Sequence, residues 1–506
     1  MPALHRSVSH RRTHFPSPTT IVAILVLGLL ALCAGCGDTA APPEEQDATV
    51  ADVRAAIDSA MLMEGEGLAL TVALYDSAGT ELTDRAVAFR SSSPTVATVS
   101  VGGVVTAQSI GRASIVVESG AAADTVGIRV QALFVTVSAG GRHSCGISVR
   151  GRVYCWGDGS AGQLGNGAIE SATTPVLAAA HADLSSVSAG LETTCGLASG
   201  AAYCWGSNGA RQLGTGEKAD AWVPVPVAGG YSFATVGVNT LHACGVTVQG
   251  EALCWGADWA GQIGNGAAPR AFSPEPVAGG ITFGSIAPGW LFTCGIATNG
   301  AAHCWGFDDT DQLGVAAADE ICAWPNGDDV PCSTDPIPVA STTAFASVVA
   351  GSGHACALTP DGTAYCWGEN DRGQLGNGTT LRSWSPTAVA GGHAFVALTA
   401  GDRHTCGLTA DGRAWCWGYN GAGALGTSAA FQDCGGDPCA TRPVASGGAL
   451  LFDVVSASVG PGSSHTCGVT QDHHAYCWGR NDYGQLGAGY RGGITFAPVL
   501  VSGQPK

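Results

Sequence analysis

The sequence predicts an all-β protein built mainly from one repeated unit. The tripeptide Cys-Trp-Gly occurs seven times, and a second cysteine lies nine or ten residues before each copy. Successive copies are 49, 50, 50, 62, 50 and 61 residues apart. A period near fifty residues that recurs seven times indicates a repeat architecture. Glycine supplies 75 of the 506 residues, as a fold with many tight turns requires.

Each unit contains four short extended segments separated by turn signals. In the fifth unit these segments fall near residues 345–351, 354–358, 363–368 and 385–389. Four such strands make one blade of a β-propeller, and seven blades in a ring leave no free sheet edge. The predicted fold class is therefore all-β, with a seven-bladed β-propeller over residues 133–503.

The recurring residues resemble those of regulator of chromosome condensation repeats. The matching features are the Val-x-Ala-Gly run, the His-x-Cys, the Asp-Gly turn, the Trp-Gly and the Gln-Leu-Gly, and they extend through all seven units. The resemblance implies a seven-bladed propeller and a protein that acts by binding other proteins. The founding member's activity, guanine-nucleotide exchange on a small GTPase, is the alternative that it implies.

The cysteine spacing predicts a disulfide within each unit. Cys356 and Cys366 are equidistant from Asp361, so a three-residue loop ending in Gly362 would place them opposite each other. In the second unit the two cysteines, Cys195 and Cys204, are one residue closer in sequence. The missing residue falls in the turn, so the cysteines would still face each other. Reduced thiols or metal ligands are the alternative. The predicted pairs are Cys145 with Cys155, Cys195 with Cys204, Cys244 with Cys254, Cys294 with Cys304, Cys356 with Cys366, Cys406 with Cys416, and Cys467 with Cys477.

The other recurring side chains are expected to be structural. The Trp of each unit should pack between adjacent blades, since a ligand site is rarely built seven times. A His precedes the first cysteine of five units by two residues, and Thr193 and Phe292 replace it in the other two. A side chain that Phe can replace is not expected to be a metal ligand or a catalytic base. We therefore expect the recurring His to make a structural hydrogen bond. We therefore predict no catalytic residue, metal ligand or cofactor.

The N-terminal residues predict an export signal. A basic start and a twelve-residue apolar run over residues 21–32 are typical of a signal peptide. The residues before Cys36 resemble the lipobox of bacterial lipoproteins, which implies a signal over residues 1–36 and lipidation of Cys36. Cleavage without lipidation is the alternative. Residues 37–50 are predicted to be a flexible tether.

A cysteine-free segment, residues 51–132, alternates apolar and polar residues in short runs. This pattern predicts a small β-sandwich. The string from Phe89 to Val99, with the glycine-punctuated runs after it, resembles bacterial immunoglobulin-like domains of group 2. The resemblance implies a spacer or an adhesion module at a cell surface.

The fourth and sixth units are longer than the others by about a dozen residues, and each carries an extra cysteine pair. Both insertions follow Gln-Leu-Gly or its equivalent, so they are expected on one face of the propeller, where insertions often form a binding surface. A tolerated surface insertion is the alternative, and a calcium site is a weaker one. The extra pairs are Cys322 with Cys332 and Cys434 with Cys439, and the candidate binding residues are Trp324, Asp328, Asp329, Phe431 and Asp433.

Composition narrows the function. A formal net charge of −18 opposes binding to nucleic acid and to anionic lipid surfaces. We therefore expect a monomeric, non-catalytic binding scaffold of the bacterial cell envelope, either an outer-membrane lipoprotein or extracellular. Its membrane contact would be a lipid anchor alone, and its partner a protein or glycan at the cell surface. An enzyme acting on surface polysaccharides is the further alternative.

Overall fold

The computed structural model describes residues 48–179, 184–266, 270–316, 318, 320–323, 328–429 and 432–505. The described chain is almost entirely strand and turn, with one short 3-10 helix at Ala278–Gly280. Across these ranges, no helix has the length and apolar character needed to cross a bilayer. The predicted signal, most of the tether and Cys36 lie outside the described residues.

The segment before the repeats forms three small sheets, with strand orders β1-β4-β5, β2-β10-β9-β6 and β3-β8-β7. Alternate residues of the long hairpin β9–β10, such as Ile115 and Val126, are fully buried between the sheets. The strands are β1 Asp52–Ala55, β2 Ser59–Met63, β3 Gly67–Ala69, β4 Val72–Tyr75, β5 Glu81–Leu82, β6 Ala88–Ser91, β7 Ala97–Val99, β8 Val104–Ala107, β9 Gly111–Ser119 and β10 Ala122–Gln131.

Seven antiparallel sheets follow, one for each Cys-Trp-Gly unit, and we number them sheets 1 to 7. The first four are sheet 1 (β11 Phe134–Ala139, β12 His143–Ser148, β13 Val153–Gly157, β14 Ala172–Leu177), sheet 2 (β15 Ser186–Ala189, β16 Thr193–Ala198, β17 Ala201–Gly206, β18 Ala221–Pro226), sheet 3 (β19 Phe233–Val238, β20 His242–Thr247, β21 Ala252–Ala257, β22 Arg270–Pro276) and sheet 4 (β23 Phe283–Pro288, β24 Phe292–Ala297, β25 Ala302–Phe307, β26 Glu320–Ala323, β27 Asp329–Pro338).

The last three are sheet 5 (β28 Ser347–Ala350, β29 His354–Leu358, β30 Ala364–Gly368, β31 Ser383–Ala388), sheet 6 (β32 Phe395–Ala400, β33 His404–Thr409, β34 Ala414–Tyr419, β35 Gln432–Asp433, β36 Pro438–Ser446) and sheet 7 (β37 Phe452–Ala457, β38 His465–Thr470, β39 Ala475–Arg480, β40 Ile494–Leu500). Within each sheet the strands lie side by side in chain order, except in sheets 4 and 6. There β27 and β36 pair with the third strand, and the added strands β26 and β35 form the edge of the sheet.

The hairpin between the second and third strand of each sheet has the predicted register. Cys356 and Cys366 are direct partners across the two strands of sheet 5, and the corresponding cysteines of the other sheets are opposed in the same way. Gly362 closes its turn with a φ of 86°. Ser199 in the shorter turn and His473 in the seventh unit also have positive φ. The turn length therefore sets which cysteines face each other.

Each opposed pair forms a disulfide in the structure, and the paired Cα atoms are 4.0 to 4.1 Å apart. All these cysteines are fully buried, so the bonds lie inside the sheets. The bonded pairs are Cys145 with Cys155, Cys195 with Cys204, Cys244 with Cys254, Cys294 with Cys304, Cys356 with Cys366, Cys406 with Cys416, and Cys467 with Cys477.

The extra cysteines of the longer units are bonded as well. Cys322 pairs with Cys332 and Cys434 with Cys439, with Cα atoms 5.8 and 5.9 Å apart. The first pair joins β26 to β27, and the second closes the turn that leads into β36. Each insertion is therefore tied to the edge of its own sheet.

The recurring Trp packs between neighbouring sheets and is fully buried. Its indole N–H donates to the backbone carbonyl of the preceding unit's Gln-Leu-Gly segment, as Trp417 does to Gln374 at 2.9 Å. Trp156 in sheet 1 donates to Gln485 in sheet 7, also at 2.9 Å. Sheets 1 and 7 are therefore joined by the same contact as consecutive sheets.

The recurring His makes the expected structural hydrogen bond. His354 Nε2 lies 2.8 Å from Thr405 Oγ1 of the next sheet, and the Thr405 hydroxyl donates to the Gln374 carbonyl. Because the hydroxyl proton is used on the carbonyl, the His must donate from Nε2. The other pairs are His143 with Thr194, His242 with Thr293, His404 with Thr466, and His465 with Ser144.

The cysteine-free N-terminal segment is attached to sheet 1 through a buried carboxylate. Glu64 is 4% exposed and accepts hydrogen bonds from Ser148 Oγ and Tyr154 Oη, both at 2.7 Å. Arg152 lies 3.4 Å from the same carboxylate. The segment and the first repeat sheet therefore share a buried polar interface at the β12–β13 turn.

Candidate binding cleft

The sheets present two kinds of connection on opposite sides. The tight turns between second and third strands lie on one side, which we call the turn face. The loops between first and second strands, and between third and fourth strands, lie on the other, which we call the loop face. Loops of consecutive sheets contact one another there: Gly141 N donates to Gly190 O, and Trp290 N donates to Gly351 O. The Glu64 interface is at the turn face.

Both predicted insertions are on the loop face, but the second is shorter than expected. The insertion lengths can be read from the strand that pairs with the third strand of each sheet, which is β31 in sheet 5, β27 in sheet 4 and β36 in sheet 6. In sheet 5 the paired residues Gly368 and Ser383 are 15 positions apart in the sequence. The separation is 27 in sheet 4 (Gly306 with Ser333) and 22 in sheet 6 (Gly418 with Ala440). The sixth unit therefore gains seven residues there, not about a dozen.

The remaining extra residues are in sheet 7. The loop between its first and second strands spans residues 458–464, whereas the corresponding loops of the other sheets have three residues. This seventh loop extends toward sheets 2 and 3. A Cβ atom on Gly460 would lie 2.9 Å from Thr240 Oγ1 and 3.2 Å from Leu191 Cδ1, in the loops of those sheets. The seventh loop thus spans part of the loop face.

The structure describes three of the five predicted binding residues, and none of these three lines the cleft described below. Trp324 and Phe431 lie outside the described residues. Asp328 and Asp329 are exposed near the disulfide of the fourth unit's insertion, and Asp433 accepts a hydrogen bond from Gly436 N in the disulfide-closed turn of the sixth unit. The sequence did predict the side of the molecule that carries the insertions, but not the cleft described next.

A cleft of about 390 Å³ opens on the loop face beside the seventh loop. Loops from four sheets and segments after the third strands of sheets 4 and 5 line it. Its aromatic wall is formed by Trp290 and Phe307, both half-buried. The remaining lining residues are Asp309, Thr310, Gln312, Ser352, Gly353, Glu369, Asp402, Arg403 and Pro461.

The cleft carries an excess of negative charge. Three carboxylates line it, Asp309, Glu369 and Asp402, against one guanidinium, that of Arg403. Burial raises the pKa of Glu369 above its usual range, and repulsion from Asp371 adds to this, while Arg403 and Arg372 oppose it. Burial also raises the pKa of Asp402, the better buried of the pair at 7% exposure.

Asp402 also has a structural role. Its carboxylate accepts a hydrogen bond from Gly462 N at 2.9 Å, and its own backbone N–H donates to Ser458 O. Both contacts hold the seventh loop beside the cleft. Over the described residues the Glu369 carboxylate accepts no comparable backbone hydrogen bond, so Glu369 is better placed than Asp402 to meet a ligand.

Ion pairs connect the cleft to the inserted segments. Arg372, which follows Glu369 by three residues, lies 2.9 Å from Asp371 and 3.0 Å from Asp437 in the sixth unit's insertion. Arg382 lies 3.1 Å from Asp311. The wall on this side is therefore fixed by paired charges, and the excess of carboxylate faces the cavity.

The acidic side chains in and beside the cleft differ in what already engages them. Within the described ranges, no group of three or more His, Cys, Asp or Glu side chains is arranged to hold a metal ion. The buried Asp308 next to the cleft, whose pKa burial raises to about 6, is engaged by the Leu313 N–H at 2.9 Å. The cleft lining thus combines the aromatic side chains of Trp290 and Phe307 with carboxylates.

Sequence reasoning missed the lining because it lies in the variable loop before each recurring His. Trp290, Ser352 and Asp402 are the middle residues of the equivalent three-residue loops in units 4, 5 and 6. That position differs between these units, while the Gly before it recurs. Such variation inside a fixed scaffold position is a signal that a repeat-by-repeat comparison would have detected.

Comparison with known proteins agrees with this architecture. Two models of the regulator of chromosome condensation (RCC1) repeat match the chain, one over residues 134–163, 345–374, 395–424 and 454–485, the other over 150–197, 199–245, 361–408 and 472–506. The matched residues lie in the seven-sheet region.

Solved structures are similar to this chain as well. Yeast RCC1 (Prp20), in a complex with Kap60, has a TM-score of 0.60 and 20% identity, covering 74% of this chain and 85% of that chain. Prp20p of Saccharomyces cerevisiae, described with its binding to Gsp1p and histones, has a TM-score of 0.59, 20% identity and coverage of 74% and 87%. Human WBSCR16 has a TM-score of 0.55, 18% identity and coverage of 68% and 89%.

At these identities the structures establish the fold alone. The repeat matches and the sheet arrangement agree with each other, and the N-terminal segment lies outside the residues that the repeat models match. This chain therefore carries regulator of chromosome condensation (RCC1) repeats folded like the RCC1 propellers of known structure.

Proposed function

We propose that this protein is a non-catalytic binding scaffold that uses the loop-face cleft to recognise a protein outside the cytoplasm. The observation that carries the proposal is the cleft itself, where loops from four sheets place two aromatic side chains among carboxylates. A concave site of this kind, on a rigid scaffold, is a usual place for recognition. The protein binding named for the yeast relatives supports this class of function.

The disulfides indicate an oxidising, extracellular environment. Within the proposal, the chain is a lipoprotein of the bacterial envelope, acylated at Cys36, and residues 51–132 are an immunoglobulin-like spacer. The seven sheets close into a seven-bladed ring. The cleft is on the loop face and the spacer contacts the turn face, so an anchor before the spacer would leave the cleft free.

Photocrosslinking in the native envelope tests recognition. A photoreactive amino acid replaces Thr310, which lines the cleft, or Val248, an exposed residue of a turn on the opposite face. We expect crosslinked partners from position 310 and none from position 248. Protease should remove the captured material. Equal crosslinking from both positions, or capture that survives protease but not periodate oxidation of glycans, would contradict recognition of a protein through the cleft.

Location is tested separately. Labelled fatty acid should be incorporated into the full chain and lost in the Cys36→Ser variant. Peptide mapping without reductant should recover the nine disulfides. Free thiols at most cysteines would exclude the compartment, whereas lipid-free protein with intact disulfides would exclude only the anchor. No observation on the described residues favours nucleotide exchange or polysaccharide cleavage.

A further inference from the structure

We propose that the loop-face cleft binds a cationic side chain, the ammonium of Lys or the guanidinium of Arg, presented by the partner protein. This inference rests on the proposed function and names the chemistry that the partner must carry. Three features of the cleft support it: the balance of charge, the aromatic wall and the fixed geometry of the surrounding residues.

The charge balance is unfavourable without a ligand. Glu369, Asp402 and Asp309 share the cavity with Arg403 alone among the cationic side chains that line it. Arg372 and Arg382 lie near, but their guanidinium groups are paired with carboxylates outside the cavity lining. Carboxylates that are partly removed from water and insufficiently paired are costly to keep ionised. A bound cation would supply the missing charge.

The raised pKa values of Glu369 and Asp402 agree with this shortage. Burial is the largest cause for both. Arg403 opposes it at both carboxylates and Arg372 opposes it at Glu369, but they do so only in part. The Ser352 hydroxyl also lowers the pKa of Asp402 somewhat. Among the described residues, however, Ser352 Oγ has no partner within ordinary hydrogen-bond distance. The site therefore contains polar groups whose bonding capacity is incompletely used.

The aromatic wall suits a cation with a long apolar stem. Trp290 and Phe307 line the same cavity as the carboxylates. The face of an aromatic ring attracts a cation, and its surface packs against the methylene groups of Lys or Arg. A neutral apolar side chain would satisfy the rings but leave the carboxylates unpaired, so the combination favours a cationic side chain over an aliphatic one.

The geometry is set before binding. Trp290 N donates to Gly351 O of the next sheet, and Asp402 is held by Gly462 N. The Arg372 pairs fix the segment that carries Glu369. Preorganised groups lose little conformational entropy on binding, which makes even a single-side-chain probe a workable test.

Calorimetry on the purified full chain tests the inference with three probes. They are Nα-acetyl-lysine methylamide, which keeps its side-chain ammonium, its arginine counterpart and the uncharged Nα-acetyl-norleucine methylamide. We expect the cationic probes to bind about tenfold more tightly than the norleucine probe. Their affinity should fall as salt is raised. Equal binding of lysine and norleucine probes, or binding of a neutral oligosaccharide in place of the cationic probes, overturns the proposal.

Variants locate the binding. Glu369→Gln and Trp290→Leu should each weaken the lysine probe about three- to tenfold, while Asp84→Asn, a change at an exposed carboxylate of the N-terminal segment, should leave it unchanged. Thermal unfolding checks that each variant is folded. Folded Glu369→Gln and Trp290→Leu proteins that bind like the parent would place the cation elsewhere and overturn the proposal.

Proton release on binding distinguishes direct contact of Glu369 with the cation from a purely structural role of Glu369, which would not change it. A cation beside Glu369 lowers its pKa, so binding in mildly acidic buffer should release protons, detected as a dependence of binding heat on the buffer. Glu369→Gln should reduce the release. If the probes fail but crosslinking from position 310 persists, this inference fails and the proposed function stands. If the probes bind but no partner is found, the preference of the cleft for a cation stands and recognition of a protein fails.

Discussion

Five buried histidines link neighbouring sheets through hydroxyl groups, and their pattern is complementary between units. Each His faces a Thr or Ser in the next unit, as His354 faces Thr405. In the two units where Thr193 and Phe292 replace the His, the next unit has Ala243 and Ala355 at the hydroxyl position. A hydroxyl is thus present in each case where a buried N–H needs an acceptor.

Removing the hydroxyl acceptor of a buried His should lower the free energy of unfolding more than removing the hydroxyl and the His together. In Thr405→Ala the buried His354 Nε2–H loses its partner, and we expect the free energy of unfolding to fall by about 1–3 kcal/mol. Adding His354→Phe recreates the pairing of Phe292 with Ala355 found in this chain and should recover most of the loss. Urea unfolding of the single and double variants measures the coupling. A double variant no more stable than Thr405→Ala would contradict the assignment.

The same histidines predict acid sensitivity. Burial lowers the pKa of His354, His242 and His465 to about 3, and of His143 and His404 to about 4, so only the unfolded chain binds protons between these values and about 6.5. Stability should therefore fall as the pH drops from about 6.5 to about 4, by up to about 1.4 kcal/mol per pH unit for each His.

Four buried carboxylates act in the opposite direction. Burial raises the pKa of Asp258 to about 7 and that of Asp308 to about 6, and it also raises the pKa of Glu369 and Asp402, so all four add stability as the pH falls. The five histidines outweigh these four carboxylates, and the net trend remains a loss. Urea unfolding at pH 7, 6 and 5 measures it, and the double variant that combines His354→Phe with Thr405→Ala should show a shallower slope. Constant or rising stability toward pH 5 would contradict this balance.

At the scale of elements, the hairpin is the repeated unit and the loop is where units differ. The second and third strands pair with the same cysteine register in all seven sheets, because opposed cysteines and a turn of fitting length set it. Loops carry no such constraint. Sheet 7 has four more residues than the other sheets between its first two strands, and these reach the loops of sheets 2 and 3.

Two glycines of the seventh loop provide a matched pair. Gly460 and Gly462 have φ values of 91° and 78°, so Ala is strained at both. A Cβ on Gly460 would contact Thr240 and Leu191, whereas one on Gly462 would meet no atom within 4 Å. We expect Gly460→Ala to destabilise more than Gly462→Ala, by about 1 kcal/mol in thermal unfolding. Equal losses would show that the loop does not pack across the face.

At the scale of the whole molecule, the N-terminal segment is attached rather than freely tethered. Glu64 joins it to sheet 1, and Gln131 Nε2 donates to Gln504 O near the end of the chain. The same segment thus contacts both ends of the repeat region. Contacts at two places limit how far the segment can pivot against the repeat region.

Replacing the buried carboxylate should release that attachment. In Glu64→Ala, Tyr154 Oη and Ser148 Oγ lose their acceptor, and we expect a loss of about 1–3 kcal/mol together with faster proteolysis near residue 132. Glu66→Ala is the matched control, since the Glu66 side chain is exposed and, over the described residues, accepts a hydrogen bond from Met63 N in its own turn. Limited proteolysis and calorimetry compare the two. Indistinguishable variants would mean that the buried interface does not hold the segment.

The sequence by itself determined what is local. Paired cysteines nine or ten residues apart and turn glycines predicted the hairpins and their register, because these contacts need only neighbouring residues to agree. The His and hydroxyl pattern also lies in the sequence, including the match of His465 with Ser144 that joins sheet 7 to sheet 1.

Only the tertiary structure decided which loops meet. Trp290, Glu369 and Asp402 are separated by dozens of residues, and they line one cleft because sheets 4 to 7 bring their loops to the same face. The crossing of the seventh loop and the burial of Glu64 likewise depend on distant packing. A repeat period specifies contacts within and between equivalent positions, whereas a binding site arises where the units differ, and no periodicity describes those differences.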